Sequence, residues 1–306
     1  MLGLTAATTA ALFWAVATVF YRRIGRVMPP VRLNLFKGTL AAVLLAALVG
    51  WQWLRGGDNP LALRPGLMAL LAASGVIGLA GGDTCFFAAL NRLGARRALL
   101  MLMLAPVLTA ALAWPLLGER LNPSQWLGIL ATCGGIAWVI GERKGGSSDG
   151  RVDALGLLLA LGAAICQALG SLMSRHVFDQ ADYGSAPSAL IRLAAASVVL
   201  CFMLPIDRLL RDPGGSDADH PARPGPMKIW LMLAAATLLG TFFGIWFQQV
   251  AIKLSTNLGV AATLLSTSPL FVLPIAAATG ERISPRAIAG AVIGLLGVAV
   301  LFGVFA

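Results

Sequence analysis

Apolar runs of about 20 residues, each free of interruption by more than an occasional charge, recur along the whole chain. That length is what a helix rising 1.5 Å per residue needs to cross a hydrocarbon core of about 30 Å. In hydrocarbon every backbone N–H and C=O must be paired internally, so only helices or closed barrels can span it. A barrel would show alternating segments of about 10 residues, and these runs do not alternate. Composition agrees. Only 12% of the 306 residues are charged and 58% are apolar, with a mean hydropathy of +0.84. A soluble domain needs about a quarter of its residues charged to cover its surface.

The runs predict an all-α integral membrane protein with ten transmembrane helices: Leu4 to Ile24, Leu33 to Trp53, Gly66 to Leu90, Ala98 to Leu117, Gln125 to Ile140, Ala154 to Val177, Ala189 to Ile206, Met227 to Ile252, Leu258 to Thr279 and Ala287 to Phe305. The net charge of +10 does not indicate nucleic acid, because Lys and Arg fall between the apolar runs. They concentrate in the odd-numbered loops. Positive residues are retained in the cytoplasm, so both termini are expected outside, with membrane lipid as a contact of the basic loops. The expected location is a bacterial inner membrane. Cys85, Cys133, Cys166 and Cys201 all lie inside apolar runs with no C-x-x-C spacing, which reads as packing and predicts neither a metal nor a cofactor. The N-terminus lacks a signal-peptide pattern, so the first run is expected to remain as a helix.

The chain repeats itself. Gly118-Glu119-Arg120-Leu121-Asn122-Pro123 returns as Gly280-Glu281-Arg282-Ile283-Ser284-Pro285. Gly128 and Gly135 return as Gly290 and Gly297, and Gly78 and Gly82 as Gly240 and Gly244, all at one offset. Val31-Arg32-Leu33 matches Ile191-Arg192-Leu193, and Pro106 matches Pro269, at nearly the same offset. The division is a first five-helix repeat over 1–143, a polar linker over 144–153 and a second five-helix repeat over 154–306. Five is odd, so the second repeat enters with opposite polarity, which is the pattern of alternating-access transporters with a site near the midplane.

The paired Gly-Glu-Arg-x-x-Pro elements, each followed by a glycine-rich closing helix, resemble the drug/metabolite transporter superfamily, in particular its EamA-type members. Ala88-Ala89-Leu90, Leu93-Gly94-Ala95 and Pro106 also fit that pattern. The resemblance covers nearly the whole chain and occurs twice. It implies a central cavity lined by the first four helices of each half, with the fifth and tenth peripheral. It also implies a cargo among amino acids, nucleosides, sugars, cations and drugs. Similar members keep both termini in the cytoplasm, opposite to the loop charge here.

Ionisable groups inside a span are costly and default to function. Asp83 follows Gly81-Gly82 inside the third span and aligns with Ile245 in the repeat, so its charge is not shared scaffold. It either binds a cation or proton, or is permanently paired. Lys37, at a similar depth in the second span, is its expected partner, the alternative being a stem that reaches to the lipid interface. A tight pair would make Asp83 a poor proton carrier and a better substrate or gate element. Arg32 and Arg192 open matching helices, as interfacial anchors or, facing inward, as anion holders. Gln167 lies mid-span. Of Gln248 and Gln249, Gln248 is chosen to face the cavity. Trp14 either stacks on a substrate or packs. Pro106 and Pro269 are expected to kink the fourth and ninth helices. Glu119 and Glu281 read as caps and ion pairs.

The function expected is secondary transport of a small polar or cationic metabolite or drug by alternating access. No Walker-type phosphate loop is present in the sequence. A lipid-related flippase is the alternative within transport. An intramembrane enzyme is disfavoured: an aspartyl protease needs a second buried Asp, and His176 and His220 lie at a span end and in a loop. The partners expected are a small-molecule substrate and lipid, with no nucleic acid. The glycine-rich fifth and tenth helices would permit a homodimer.

Overall fold

The computed structural model describes residues 1–140, 153–206, 226–271 and 285–301, apart from Arg26, Asp58 and Leu61. They form helices throughout. These are α1 (Leu2–Ile24), α2 (Pro30–Leu54), α3 (65–102), α4 (Leu104–Leu117) and α5 (Pro123–Ile140), then α6 (Ala154–Gln180), α7 (Ser185–Met203), α8 (226–254), α9 (Leu258–Phe271) and α10 (Pro285–Leu301). Six of them are long and apolar enough to cross a membrane, and α4, α9 and the Ile288–Leu301 part of α10 are shorter apolar helices. The surface is inverted relative to a soluble protein. Val43, Leu127, Leu158 and Phe202 are exposed, while the interior of α1 is alanine: Ala7, Ala10, Ala11 and Ala15 have no exposure. Trp51, Trp53, Trp114, Trp138 and Trp230 are exposed within a few residues of helix ends, where an amphipathic ring suits the lipid–water boundary.

Local sequence explains most boundaries. Pro30, Pro65 and Pro123 sit at the first turns of α2, α3 and α5, where the missing N–H costs nothing. Asn122 caps α5 reciprocally with Gln125: the Gln125 N–H donates to Asn122 Oδ1 at 2.8 Å and the Asn122 N–H to Gln125 Oε1 at 3.0 Å. Asp153 caps α6 by accepting the Gly156 N–H at 3.1 Å. Gly118 ends α4 with φ +70°, a left-handed residue that only glycine adopts without strain. That turn explains the glycine of the repeated Gly-Glu-Arg element.

Two features depart from the sequence reading. The loop expected over 91–97 is helical, so α3 runs to Leu102 and the break falls at Met103. Pro106 cannot donate to the carbonyl four residues back, at Leu102, and its ring crowds that carbonyl. α9 breaks in the same way at Ser266 and Thr267, three and two residues before Pro269. The second difference is a wide π-helical segment in the middle of α3 (Val76–Gly82) and another in the middle of α8 (Thr237–Phe243), at equivalent places in the repeat. The polar residues 144–152, the end of the ninth span beyond Phe271, Glu281 and the last residues to Phe305 lie outside the described residues.

The pairing of helices respects the repeat. α1 packs against α8 and α9, and its counterpart α6 packs against α3 and α4. α2 packs on α7, α4 on α9 and α5 on α10, each helix on its own counterpart. Chain directions can be followed residue by residue. Tyr21 stacks edge-on with Phe87, and a Cβ on Gly25 would lie 3.8 Å from Asn91 Oδ1, so α1 and α3 run parallel. Ser74 Oγ lies 3.2 Å from Ser174 Oγ, Gly78 packs on Gly170, and Arg92 reaches Asp153, so α3 and α6 run antiparallel. α6 therefore runs opposite to α1.

Candidate functional site

Where α3 crosses α6 and α8 crosses α1, the backbones touch. A Cβ on Gly170 would lie 3.0 Å from the Gly78 Cα, and one on Gly82 would lie 3.1 Å from the Cys166 Cβ. Gly240 and Gly244 likewise receive Ala17 and Trp14. Each crossing falls on a π-helical segment. Widening a helix frees carbonyls that the ordinary ladder would use, and in lipid they need other donors. Asn34 on α2 supplies them in the first half, donating to the Leu79 carbonyl at 2.8 Å and to Thr84 Oγ1 at 3.0 Å. In the second half, Trp14 Nε1 donates to the Gly240 carbonyl at 2.8 Å and Tyr21 Oη to the Ala236 carbonyl at 3.0 Å.

Between these crossings lies a cavity of about 150 Å3. Trp14, Lys37, Asp83, Gln167, Arg192 and Gln248, which the sequence reading put forward for binding, all line it. Gln167 is the middle residue of α6, so the cavity reaches the centre of the bundle. Leu102 and Ser268, beside the two broken helices, also reach it. Among the described residues, its lining includes none of α5 or α10.

Lys37 and Asp83 meet directly. Lys37 Nζ donates to Asp83 Oδ2 at 2.6 Å, with side-chain exposures of 5% and 25%. The ammonium also lies 5.5 Å from the centre of the Phe87 ring. Lys37 thus turns inward rather than to the lipid interface. Arg192 parts company with its repeat counterpart: Arg32 is exposed, whereas Arg192 is 2% exposed. Its interfacial-anchor reading is corrected by this burial. Two glycines of α3 make the slot. Gly75 lies against the Arg192 backbone, and a Cβ on Gly78 would come within 3.2 Å of Arg192 Nη2. Arg192 Nη1 donates to Gln249 Oε1, whose Nε2 donates to Ser188 Oγ at 2.5 Å. Gln249 therefore holds Arg192 while Gln248 faces the cavity, with its Oε1 buried and unpartnered among the described residues. Trp14 packs, its N–H anchoring the Gly240 carbonyl, and it also lines the cavity.

Sequence reasoning passed over Tyr21, Asn34, Phe86 and Phe87. Asn34 had a signal, an amide inside an apolar run, which in lipid demands a partner. Tyr21 and the two phenylalanines look like ordinary span residues.

Ion pairs joining the halves lie at both ends of α6. At its start, Arg92 Nη1 is 3.1 Å from Asp153 Oδ2. Near its end, Arg175 Nε is 3.3 Å from Glu119 Oε1 and 3.0 Å from Asp179 Oδ1. Glu119 pairs with Arg175 and not with its neighbour Arg120, and its Oε2 accepts the Leu258 N–H at 2.6 Å, capping α9. Arg175 Nη1 also donates to the carbonyls of Ile252 (2.9 Å) and Ser255 (2.6 Å). Burial raises the Glu119 carboxyl above its usual range, against the lowering effects of the Leu258 N–H and Arg175. The Gly156 N–H, then Arg92, hold Asp153 below its usual range.

The profile of the EamA-like transporter family matches this chain twice, over residues 1–141 and 154–303. An uncharacterized transporter of Bacillus subtilis (strain 168), YyaM, is 25% identical over 272 residues, covering 87% of this chain and 82% of its own. A crystal structure of a protein 22% identical in sequence shares the fold, with a TM-score of 0.74 over 99% of this chain and 96% of that one. A twofold family match across two apolar helical halves that enclose a cavity holding Lys37, Asp83 and Arg192 identifies this chain as an integral membrane transporter belonging to the EamA-like transporter family.

Proposed function

We propose that the chain is a secondary transporter that carries a small polar solute by alternating access between two inverted five-helix halves. The observation that carries this reading is the cavity at the two matched crossings, α1 with α8 and α3 with α6, closed around the Lys37–Asp83 pair. The opposed directions of α1 and α6 support inversion, and equivalent helix breaks beside the cavity in α3–α4 and α9 support hinges there. In this reading ten helices cross the membrane, α5 and α10 stand at the periphery, and the basic loops lie in the cytoplasm of a bacterial inner-membrane protein with both termini outside. The tight pair already satisfies the Asp83 carboxylate. That makes Asp83 a weak acceptor for a cationic cargo and a better sensor of a solute that displaces Lys37.

Counterflow in proteoliposomes tests this. Labelled amino acids, nucleosides, polyamines, quaternary cations and small carboxylates are offered to vesicles preloaded with the same unlabelled compound. A carrier shows uptake of at least one class that is stimulated by internal unlabelled solute. Uptake that ignores the internal pool, or no uptake in any class, would defeat alternating access.

A further inference from the structure

The charges that reach the cavity do not cancel. Among the described residues lining it, Lys37 and Arg192 are cationic and Asp83 alone is anionic. Lys37 and Asp83 neutralise each other at 2.6 Å. Arg192 remains. Its guanidinium cannot shed its proton, it offers five N–H donors, and it is buried. The partner it has, Gln249, is a neutral amide, and its Nε has none among the described residues. Asp83 acts on it through space but is already paired with Lys37, so the three groups keep one positive charge in excess. A buried excess charge is costly, and a chain that keeps one has a reason to do so. The scaffold does not require it, since the matching position in the first half is the exposed Arg32.

Much of the remaining wall is aromatic, beside the polar Thr18, Gln167, Thr241 and Ser268. Trp14, Tyr21, Phe86 and Phe87 line it, and the Trp14 N–H is committed to Gly240, which leaves its ring as a hydrocarbon surface. Gln248 Oε1 is an acceptor without a donor. A volume of about 150 Å3 admits a molecule of benzene-ring size with little to spare.

We propose that the solute is a small organic acid whose carboxylate supplies the missing charge at Arg192, whose apolar or aromatic body lies against Trp14, Phe86 and Phe87, and whose hydrogen-bond donor, where it has one, meets Gln248. Guanidinium and carboxylate match as two parallel N–H···O bonds, a geometry that lysine cannot reproduce. This rests on the cavity being the transport site.

Binding to the purified full-length protein decides it. Thermal unfolding and calorimetry are measured with benzoate and phenylacetate, with the neutral isosteres benzamide and phenylacetamide, and with benzylamine. The acids raise the melting temperature by about 2 °C or more and bind at least about tenfold tighter than their amides, the scale of one charge-assisted pair. Arg192→Gln abolishes that preference and Arg192→Lys retains only part of it. If Arg192→Gln does not purify, the acid, amide and amine comparison on the wild-type protein stands alone. Binding of benzylamine or the amides as tight as that of the acids overturns the organic-acid class and leaves the cavity as the binding site. No stabilisation by any of the five compounds overturns the class and the cavity's role together.

Discussion

The Lys37–Asp83 pair is the clearest case of chemistry that a single residue dictates. A carboxylate inside an apolar run demands a partner, and depth arithmetic along neighbouring spans finds it. The structure brings the two atoms to 2.6 Å. Removing one partner strands the other charge. Asp83→Asn or Lys37→Gln should each destabilise the protein by about 2–4 kcal/mol, somewhat below the figure for a fully dry pair because Asp83 keeps 25% of its side-chain exposure. The double variant should recover most of that stability, because neither charge is then left alone, yet remain inactive. Melting temperatures and counterflow on the four proteins check both halves of this. A double variant no more stable than the singles would mean that the pair is not the unit. Arg192 shows where legibility stops. In sequence it is the twin of Arg32. What buries it is the absence of side chains at Gly75 and Gly78, on a helix more than 100 residues away in the chain. Likewise nothing local tells Gln248 from Gln249. Their roles follow from the rotation of α8, which the π segment at Thr237–Phe243 resets.

At the level of helices, periodic glycines were readable and their partners were not. The glycine faces of α5 and α10 meet each other within one chain, so their close contact does not call for a second copy. A Cβ on Gly135 would lie 2.5 Å from the Gly294 nitrogen and 2.6 Å from the Gly290 carbonyl oxygen, all backbone that cannot turn aside. Gly134, its neighbour, meets nothing within 4 Å. Gly135→Ala should therefore push the two helices apart and cost about 1–3 kcal/mol. Gly134→Ala should be neutral or stabilising by up to about 1 kcal/mol, because alanine is the better helix former. Melting temperatures of the two single variants decide it, and equal effects would show that the crossing is not where the structure places it. The helix limits themselves were legible where proline, asparagine or aspartate caps announce them, as at Pro123 and Asp153. They failed at 91–97, where polar residues suggested a loop. There a proline further on, Pro106, places the break instead, and contacts with α6 keep the intervening turn helical.

For the molecule as a whole, alternating access requires the two ends to open one at a time. The inter-half ion pairs sit where such gates would be. Asp153 and Arg175 are about 33 Å apart along α6, at 1.5 Å per residue, so Arg92–Asp153 and Arg175–Glu119 tie the halves at opposite faces. Weakening one tie should favour opening at its own face. In a chain whose four cysteines are replaced, Ala163→Cys places a single thiol in the cavity wall. Asp153→Asn keeps the helix cap but loses Arg92, and should raise labelling by an impermeant maleimide from the Asp153 face by about 2–5-fold, the range of a partly exposed pair. Glu119→Gln should do the same at the opposite face. Lys253→Gln breaks the 2.6 Å pair with Asp182 inside one half and should change neither. Labelling that rises equally from both faces would mean that the pairs brace the fold and do not gate it.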